Sequence, residues 1–139
     1  MSEEQALRLA EHREFAFDLE VRYYETDGQG FVHHANYLKY LETARVEQLK
    51  AAGIQYVDME REGYLLVVSK IECRYRLPSR FGDTLRIWLR TERARGARVD
   101  HRYRITRGEQ LVFEAQTTLA CVDRDGNLRR LPQHLEVVD

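Results

Sequence analysis

The sequence has few of the features that mark secreted, membrane-spanning or nucleic-acid-binding proteins. Its 139 residues include two cysteines and two prolines, and its formal net charge at pH 7 is −1. Two cysteines are too few for a disulfide framework, and a balanced charge creates no overall field that attracts nucleic acid. The longest uncharged apolar stretch covers residues 64–69, whereas a transmembrane helix needs roughly 20 residues. These absences predict a soluble globular protein with no nucleic-acid partner and no membrane insertion.

The length and the N-terminus suggest one cytoplasmic domain. We assign residues 1–139 to a single domain, since this length falls within the usual range for one core. The first residues are acidic and contain no apolar run, so they do not resemble a signal peptide, and residues 1–13 are predicted to be a flexible extension. Residues 1–63 hold 7 basic and 13 acidic side chains, and residues 64–139 hold 15 and 10. The basic second half would suit an anionic ligand or an acidic partner.

Apolar and polar residues alternate along most of the chain, which predicts five β-strands. The alternating segments are residues 15–23, 71–77 (ending a run that begins near 64), 85–89, 99–105 and 111–121. Short segments with glycine separate the later strands, as expected of antiparallel connections. Cys73, Cys121 and His101 fall on the apolar faces. We therefore predict that the cysteines are small buried hydrophobes and that His101 is a core histidine with satisfied hydrogen bonds.

One segment has the spacing of a helix instead. In residues 35–52 apolar side chains recur three and four positions apart, with Asn36 as candidate N-cap and Gly53 suited to the C-terminal end. Strands of ten or more residues normally twist and curl. The predicted fold class is α+β, with a long curled antiparallel sheet of about five strands around one central helix, and residues 56–63 form a short helical connection.

The loop before this helix holds the candidate chemistry. Gly28 and Gly30 let the backbone approach a ligand, and a helix start offers unpaired N–H groups that can stabilise an oxyanion. Asp27 precedes His34 by seven residues and could deliver or activate a nucleophile. The alternatives are that Asp27 only shapes a turn and that His34 only makes local hydrogen bonds. His33 and His34 are sequence neighbours, which rarely share one metal ion, so no metal is predicted.

Several motifs resemble those of the 4-hydroxybenzoyl-CoA thioesterase/YbgC family of hotdog-fold acyl-CoA thioesterases. The resemblance covers residues 15–134 and rests on these segments: Arg22-Tyr23, Glu25-Thr26-Asp27, Gly30-Phe31-Val32, residues 34–38, residues 41–45, Leu77-Pro78, Phe81-Gly82-Asp83 and Cys121-Val122-Asp123. It implies a hotdog fold and hydrolysis of an acyl-CoA to free CoA and a carboxylic acid. It implies no cofactor, because CoA is part of the substrate.

The resemblance also assigns roles to individual residues. Asp27 would attack the thioester carbonyl or activate water, the backbone N–H of His34 would polarise that carbonyl, and Tyr23 would lie near the aspartate. The predicted substrate-binding residues are Gly30, Val32, Ala35 and Asn36. The chain departs from the family pattern at Gly28-Gln29 and at His33, which leaves the acyl group open. Glu42 and Glu47 are the reserve carboxylates, because another hotdog branch uses a helix glutamate.

Two other functions remain open at this point. An acyl-carrier-protein thioesterase would use the basic second half to dock an acidic carrier, and a non-catalytic module would bind acyl-CoA without cleaving it. The resemblance also implies assembly into dimers or tetramers with sites at subunit boundaries, so a homo-oligomer, either a dimer or a homotetramer, is expected.

Overall fold

The computed structural model describes residues 8–139, in which one long helix packs on the face of a five-stranded antiparallel sheet. The strands are β1 (Glu14–Glu20), β2 (Leu65–Tyr75), β3 (Thr84–Arg95), β4 (Arg98–Arg107) and β5 (Gln110–Val122). The helices are α1 (Asn36–Ala51) and α2 (Tyr56–Arg61), with short 3-10 turns at Leu9–His12, Tyr23–Glu25 and Gln133–Leu135. The predicted α+β fold class is confirmed.

The strands lie in the order β1-β3-β4-β5-β2. Two-residue turns join β3 to β4 and β4 to β5, and each begins with a glycine at positive φ, Gly96 at 64° and Gly108 at 60°. This conformation suits a tight hairpin and is unfavourable for other residues. Because the chain leaves β1 through α1 and returns at the opposite border of the sheet, β1 and β2 are the two edge strands.

The main core lies between α1 and the middle of the sheet. Tyr40, Leu41 and Ala44 of α1 pack on Leu85 and Ile87 of β3, and all five are buried. Burial of each large aliphatic side chain contributes roughly 1.5 to 3 kcal/mol. This contact fixes the position of the helix start relative to the sheet.

The edge strand β2 differs from the prediction. Ile71, Cys73 and Tyr75 were expected on the buried face, but all three are exposed. The reason is that α1 covers β1, β3 and the neighbouring strands and does not extend over the outer part of β2. The prediction of a buried Cys73 is therefore wrong, whereas Cys121 is buried as predicted.

The predicted N-terminal extension is only partly within the described structure. Residues 1–7 lie outside the described residues. Residues 8–13 pack on the sheet, because Leu9 is buried and the Arg13 guanidinium donates to the carbonyls of Thr91 and Glu92. No helix among residues 8–139 combines the length and the apolar character that crossing a bilayer requires.

Candidate active site

The loop between β1 and α1 folds into a small hairpin. Thr26 and Val32 form an isolated antiparallel bridge, and the Asp27 N–H donates to the Phe31 carbonyl over 2.7 Å. Gly30 lies at the turn with φ of 84°, and its N–H donates to the Asp27 carbonyl over 3.1 Å. The hairpin therefore requires a glycine at position 30, and it brings residues 31–33 back beside residues 25–27.

Asp27 shapes the turn of this hairpin. Its Oδ1 accepts hydrogen bonds from the N–H groups of Gln29 (2.8 Å) and Phe31 (3.2 Å). Its second carboxylate oxygen accepts no hydrogen bond from residues 8–139. The carboxylate is half-buried, so one oxygen holds the loop while the other is free to act on a ligand. A structural and a chemical role of Asp27 are therefore compatible.

Glu25 fastens the hairpin to the helix. Its carboxylate accepts hydrogen bonds from the Arg22 N–H (2.8 Å), the Arg22 guanidinium (2.9 Å) and the Tyr40 hydroxyl (3.1 Å). Its carbonyl accepts from the His33 N–H (2.9 Å) and the Asn36 amide (2.7 Å). Burial acts to raise the Glu25 pKa, but the bonds from Arg22 and Tyr40 outweigh it and hold that pKa below its ordinary value.

This role of Glu25 was not predicted from the sequence. A signal was present, because Arg22 and Glu25 are three residues apart, the spacing of an ion pair across a single turn. The contact with Tyr40, fifteen residues away, has no local signature.

The start of α1 lies next to the base of the hairpin. Ala35 is the N-cap and Asn36 is the first helical residue. Asn36 was predicted as the cap, but its side chain bonds the Glu25 carbonyl instead of the helix start. The N–H groups of His34 and Tyr37 donate no hydrogen bond to any residue between 8 and 139. Two backbone donors thus remain free where the helix dipole is positive.

A groove of about 360 Å³ opens beside these donors. Val32, His34 and Tyr37 form one wall, and the other wall comes from the end of β2 and the residues after it, including Tyr75 and Leu77. The Tyr75 hydroxyl donates to the His34 carbonyl over 2.8 Å, and so holds the residue whose own N–H group is free through the peptide group that follows it. The groove is mostly apolar, with backbone donors at one end, which suits an acyl thioester.

Tyr75 is a further residue whose position in the site was not predicted. Its ring lies 5.4 Å from Tyr37 and 5.0 Å from Phe113, centroid to centroid, and Tyr37 stacks on Phe113 at 4.9 Å. Aromatic pairs at these separations are favourable. Partial burial raises the Tyr75 pKa, so the hydroxyl remains protonated and donates at neutral pH.

The structure brings some of the predicted site residues together and leaves others apart. Val32 and His34 line the groove, and Ala35 and Asn36 form the helix start beside it. Asp27 is not among the residues that line this groove in a single chain. Tyr23 is 75% exposed and its ring packs edge-on against Phe81 at 5.8 Å.

The reserve carboxylates have other surroundings. Glu47 pairs with Lys50 over 3.4 Å on the surface of α1, and Glu42 lines a different cavity farther along that helix. His33 and His34 stack at 4.2 Å, and the His33 Nδ1 accepts the Ala35 N–H over 3.2 Å. Within residues 8–139, no group of three or more His, Cys, Asp or Glu side chains converges in a way that could hold a metal ion.

Comparison with known proteins places the chain among thioesterases. The family model described as the thioesterase-like superfamily matches residues 7–138. YneP of Bacillus subtilis is 36% identical over 109 residues, covering 78% of this chain and 79% of that protein. The acyl-CoA thioester hydrolase YbgC of Escherichia coli is 33% identical over 110 residues, covering 78% and 82%. The solved DHNA-CoA thioesterase of Staphylococcus aureus matches with a TM-score of 0.81 at 27% identity, covering 85% and 80%.

Proposed function

The chain belongs to the thioesterase-like superfamily, and from that premise we propose that it hydrolyses an acyl-CoA to free CoA and a carboxylic acid. The observation that carries this proposal is the pair of free N–H groups, on His34 and Tyr37, at the end of an apolar groove. A thioester has a good leaving group, so a carboxylate and one or two preorganised donors suffice. The names of the relatives from Escherichia coli and Staphylococcus aureus support a CoA thioester as the substrate.

In the proposed mechanism the thioester carbonyl accepts a hydrogen bond from the His34 N–H. Asp27 then attacks the carbonyl carbon, or removes a proton from a water molecule that attacks it. The carbon–sulfur bond breaks, its electron pair leaves with the CoA sulfur, and the thiolate takes up a proton. If Asp27 is the nucleophile, water then cleaves the mixed anhydride and releases the acid and the free carboxylate; if it is the general base, the acid is released directly and the proton that Asp27 took from water goes to the thiolate or to solvent. Loss of one oxyanion donor typically slows such a reaction by about 100-fold to 1,000-fold. Tyr23 remains a predicted neighbour of the reacting carboxylate.

We further propose that two copies of the chain complete the site by pairing along β2. This strand is an unpaired edge with exposed apolar side chains, Val67, Val68 and Ile71 among them. Such an edge needs cover, since it otherwise templates aggregation. A second copy on this edge would wall the open side of the groove, which ends at Tyr75 of the same strand. A dimer is the smallest assembly that does so, and two dimers would give the tetramer.

A panel of acyl-CoAs with a thiol-trapping dye tests the activity. We expect CoA release that depends on enzyme concentration for at least one acyl class. Tight binding of the same thioesters without thiol release would instead identify a non-catalytic acyl-CoA-binding module.

Sedimentation of the wild type and of Ile71→Lys tests the assembly. We expect the wild type to form a dimer or tetramer and the lysine charge on β2 to dissociate it. A monomeric wild type would contradict it.

An acyl-carrier-protein thioester is the second candidate substrate. Residues 64–139 have an excess of five positive charges, from 15 basic and 10 acidic side chains, and carrier proteins of acidic character would dock on such a surface. Turnover of one acyl chain linked either to CoA or to the carrier separates the two. A higher kcat/KM with the carrier that falls steeply as salt is added would favour this candidate over free CoA.

A further inference from the structure

A second cavity, of about 100 Å³, lies between α1 and the sheet, separate from the groove at the helix start. Its walls are mostly apolar, with Leu49, Tyr56 and Leu119 among them. For comparison, a cavity of about 150 Å³ accepts a benzene ring. This space is sized for the end of a chain, such as a small polar group with one or two methylenes.

One polar side chain that lines this cavity has a buried nitrogen without a hydrogen-bond partner. His101 is 5% exposed, and its Nδ1 has no hydrogen-bond partner among residues 8–139. Buried polar atoms nearly always have a partner, and an unpaired one costs about 1 to 3 kcal/mol. Burial, aided by the nearby Arg45 charge, lowers the His101 pKa to about 3, so the ring is neutral and can donate one N–H. His101 is therefore buried as predicted, but its hydrogen-bonding capacity is not satisfied as predicted.

Arg45 is a second polar residue of this cavity that lacks a partner within the described chain, in this case a counter-ion. Arg45 is half-buried, and its guanidinium donates one hydrogen bond, to the Tyr103 hydroxyl over 3.0 Å. That hydroxyl in turn contacts the Thr117 hydroxyl at 2.6 Å. Among the described residues Arg45 forms no ion pair with a carboxylate. Arginine has five N–H donors, and a partly buried cation without a counter-ion is unfavourable. The cavity is therefore lined by a guanidinium that has no counter-ion and by an imidazole whose Nδ1 has no partner among residues 8–139.

The backbone positions that carry these two groups are separated from those beside the proposed oxyanion site by about the length of a medium-length chain. Tyr37 and Arg45 are eight residues apart on α1, which is about 12 Å at the helical rise. On the sheet, Phe113 contacts Tyr37 and Thr117 pairs with His101, and those two positions on β5 are four residues apart, or about 13 Å. The helix and the sheet give the same separation, about that of a chain of ten carbon atoms.

We propose that this cavity binds the far end of the acyl group and that Arg45 and His101 hold a terminal carboxylate there. The inference rests on the proposed thioesterase function and specifies its substrate class, the CoA monothioester of a medium-chain dicarboxylic acid. A carboxylate matches the fork of guanidinium donors better than a hydroxyl does, and it supplies the counter-charge. Glu42 also lines the cavity, but its side chain is exposed and forms no ion pair with Arg45, so it does not neutralise the cation.

The test compares two CoA thioesters with about ten carbon atoms, one ending in a carboxylate and one in a methyl group. We expect the wild type to favour the carboxylate end by about 10-fold to 100-fold in kcat/KM, as for a charge-assisted hydrogen-bonded pair. Arg45→Met and His101→Leu should each reduce this ratio. Lys39→Met removes one positive charge from an exposed position of the same helix and should leave the ratio unchanged.

The contrary outcomes are distinct. Equal or greater turnover of the methyl-ended thioester by the wild type would overturn the proposal, as would a preference for a hydroxyl-ended chain, or a ratio that Arg45→Met does not change. The free dicarboxylate should raise the unfolding temperature of the wild type more than the monocarboxylate of equal length does. Arg45→Met should abolish this difference in unfolding temperature. If no thioester is hydrolysed but the difference is present in the wild type and absent from Arg45→Met, the proposed activity is wrong and the proposed binding site is retained.

Discussion

Two turns of the molecule are built alike but lie in different surroundings. In the first, Asp27 Oδ1 accepts the N–H groups of residues 29 and 31, and Gly30 closes the turn at positive φ. In the second, Asp123 Oδ1 accepts the N–H groups of residues 125 and 127, over 2.9 and 3.0 Å, and Gly126 closes the turn with φ of 85°. The backbone hydrogen bonds also correspond. In both turns the aspartate N–H donates to the carbonyl of the residue four positions later, and the glycine N–H donates to the aspartate carbonyl.

The difference between the two turns is what each is attached to. The Asp27 turn is joined through Glu25 to the start of α1, where two backbone N–H groups are free. The Asp123 turn connects β5 to the chain that follows, and it borders none of the site residues described above. An aspartate in such a turn is therefore no sign of catalysis by itself. The neighbouring helix start gives the first turn its candidate function, and the second turn is an internal control.

The largest expected effect comes from removing the charge of each aspartate. Asparagine retains the carbonyl oxygen that accepts the two turn hydrogen bonds but cannot act as a nucleophile or general base. Asp27→Asn should lower kcat by about 1,000-fold, within the usual range for loss of acid–base or nucleophilic chemistry. Asp123→Asn should change kcat by less than about twofold. Thiol release from the preferred acyl-CoA measures both.

Stability provides the control for this comparison, because the two substitutions should change the free energy of unfolding by similar small amounts. If Asp27→Asn and Asp123→Asn have equal, near-normal activity, Asp27 is only a turn former and the proposed mechanism is wrong.

The contrast also shows which parts of the molecule could be predicted from sequence. The strands and α1 were predicted because their spacing is local, and the family resemblance is confirmed. The burial of Cys73 was predicted wrongly because strand order, which makes β2 an edge, is not encoded in its alternation. The contact of Glu25 with Tyr40 and that of Tyr75 with His34 depend on tertiary packing. The roles of Asp27 and Tyr23 stay predictions that come from the resemblance.

A second, smaller effect is expected from removing the carboxylate of Glu25, which joins the Asp27 turn to α1; the Asp123 turn is not joined to this helix start in the part of the chain that the structure describes. Glu25→Gln removes a buried carboxylate that accepts three hydrogen bonds and should lower the free energy of unfolding at pH 7 by about 2 kcal/mol. Activity should fall as well, because the Asp27 turn loses its anchor to α1. Glu109→Gln, at an exposed position, should change neither quantity. Urea unfolding and thiol release measure the two effects.

The pH dependence of this effect has a definite sign. The folded-state pKa of Glu25 lies below its ordinary value, so the carboxylate stabilises the fold fully above the unfolded pKa of about 4.5. That stabilisation is lost as the pH falls through the folded-state pKa. The stability gap between the wild type and Glu25→Gln should therefore narrow in acid. A gap that is constant from pH 7 to pH 3 would mean that the carboxylate charge does not anchor the hairpin.

The smallest expected effect concerns the glycines that close the two turns. Gly30 and Gly126 have nearly equal positive φ, 84° and 85°, and a Cβ at either position would meet no atom within 4 Å. Substitution by alanine should therefore lower the free energy of unfolding by about 1 to 2 kcal/mol at each site, because alanine is forced into the left-handed conformation. We expect Gly30→Ala and Gly126→Ala to be equally destabilised in urea, while only Gly30→Ala loses activity. If both variants lose activity equally, the reaction responds to general stability and the hairpin at Asp27 has no special place in it.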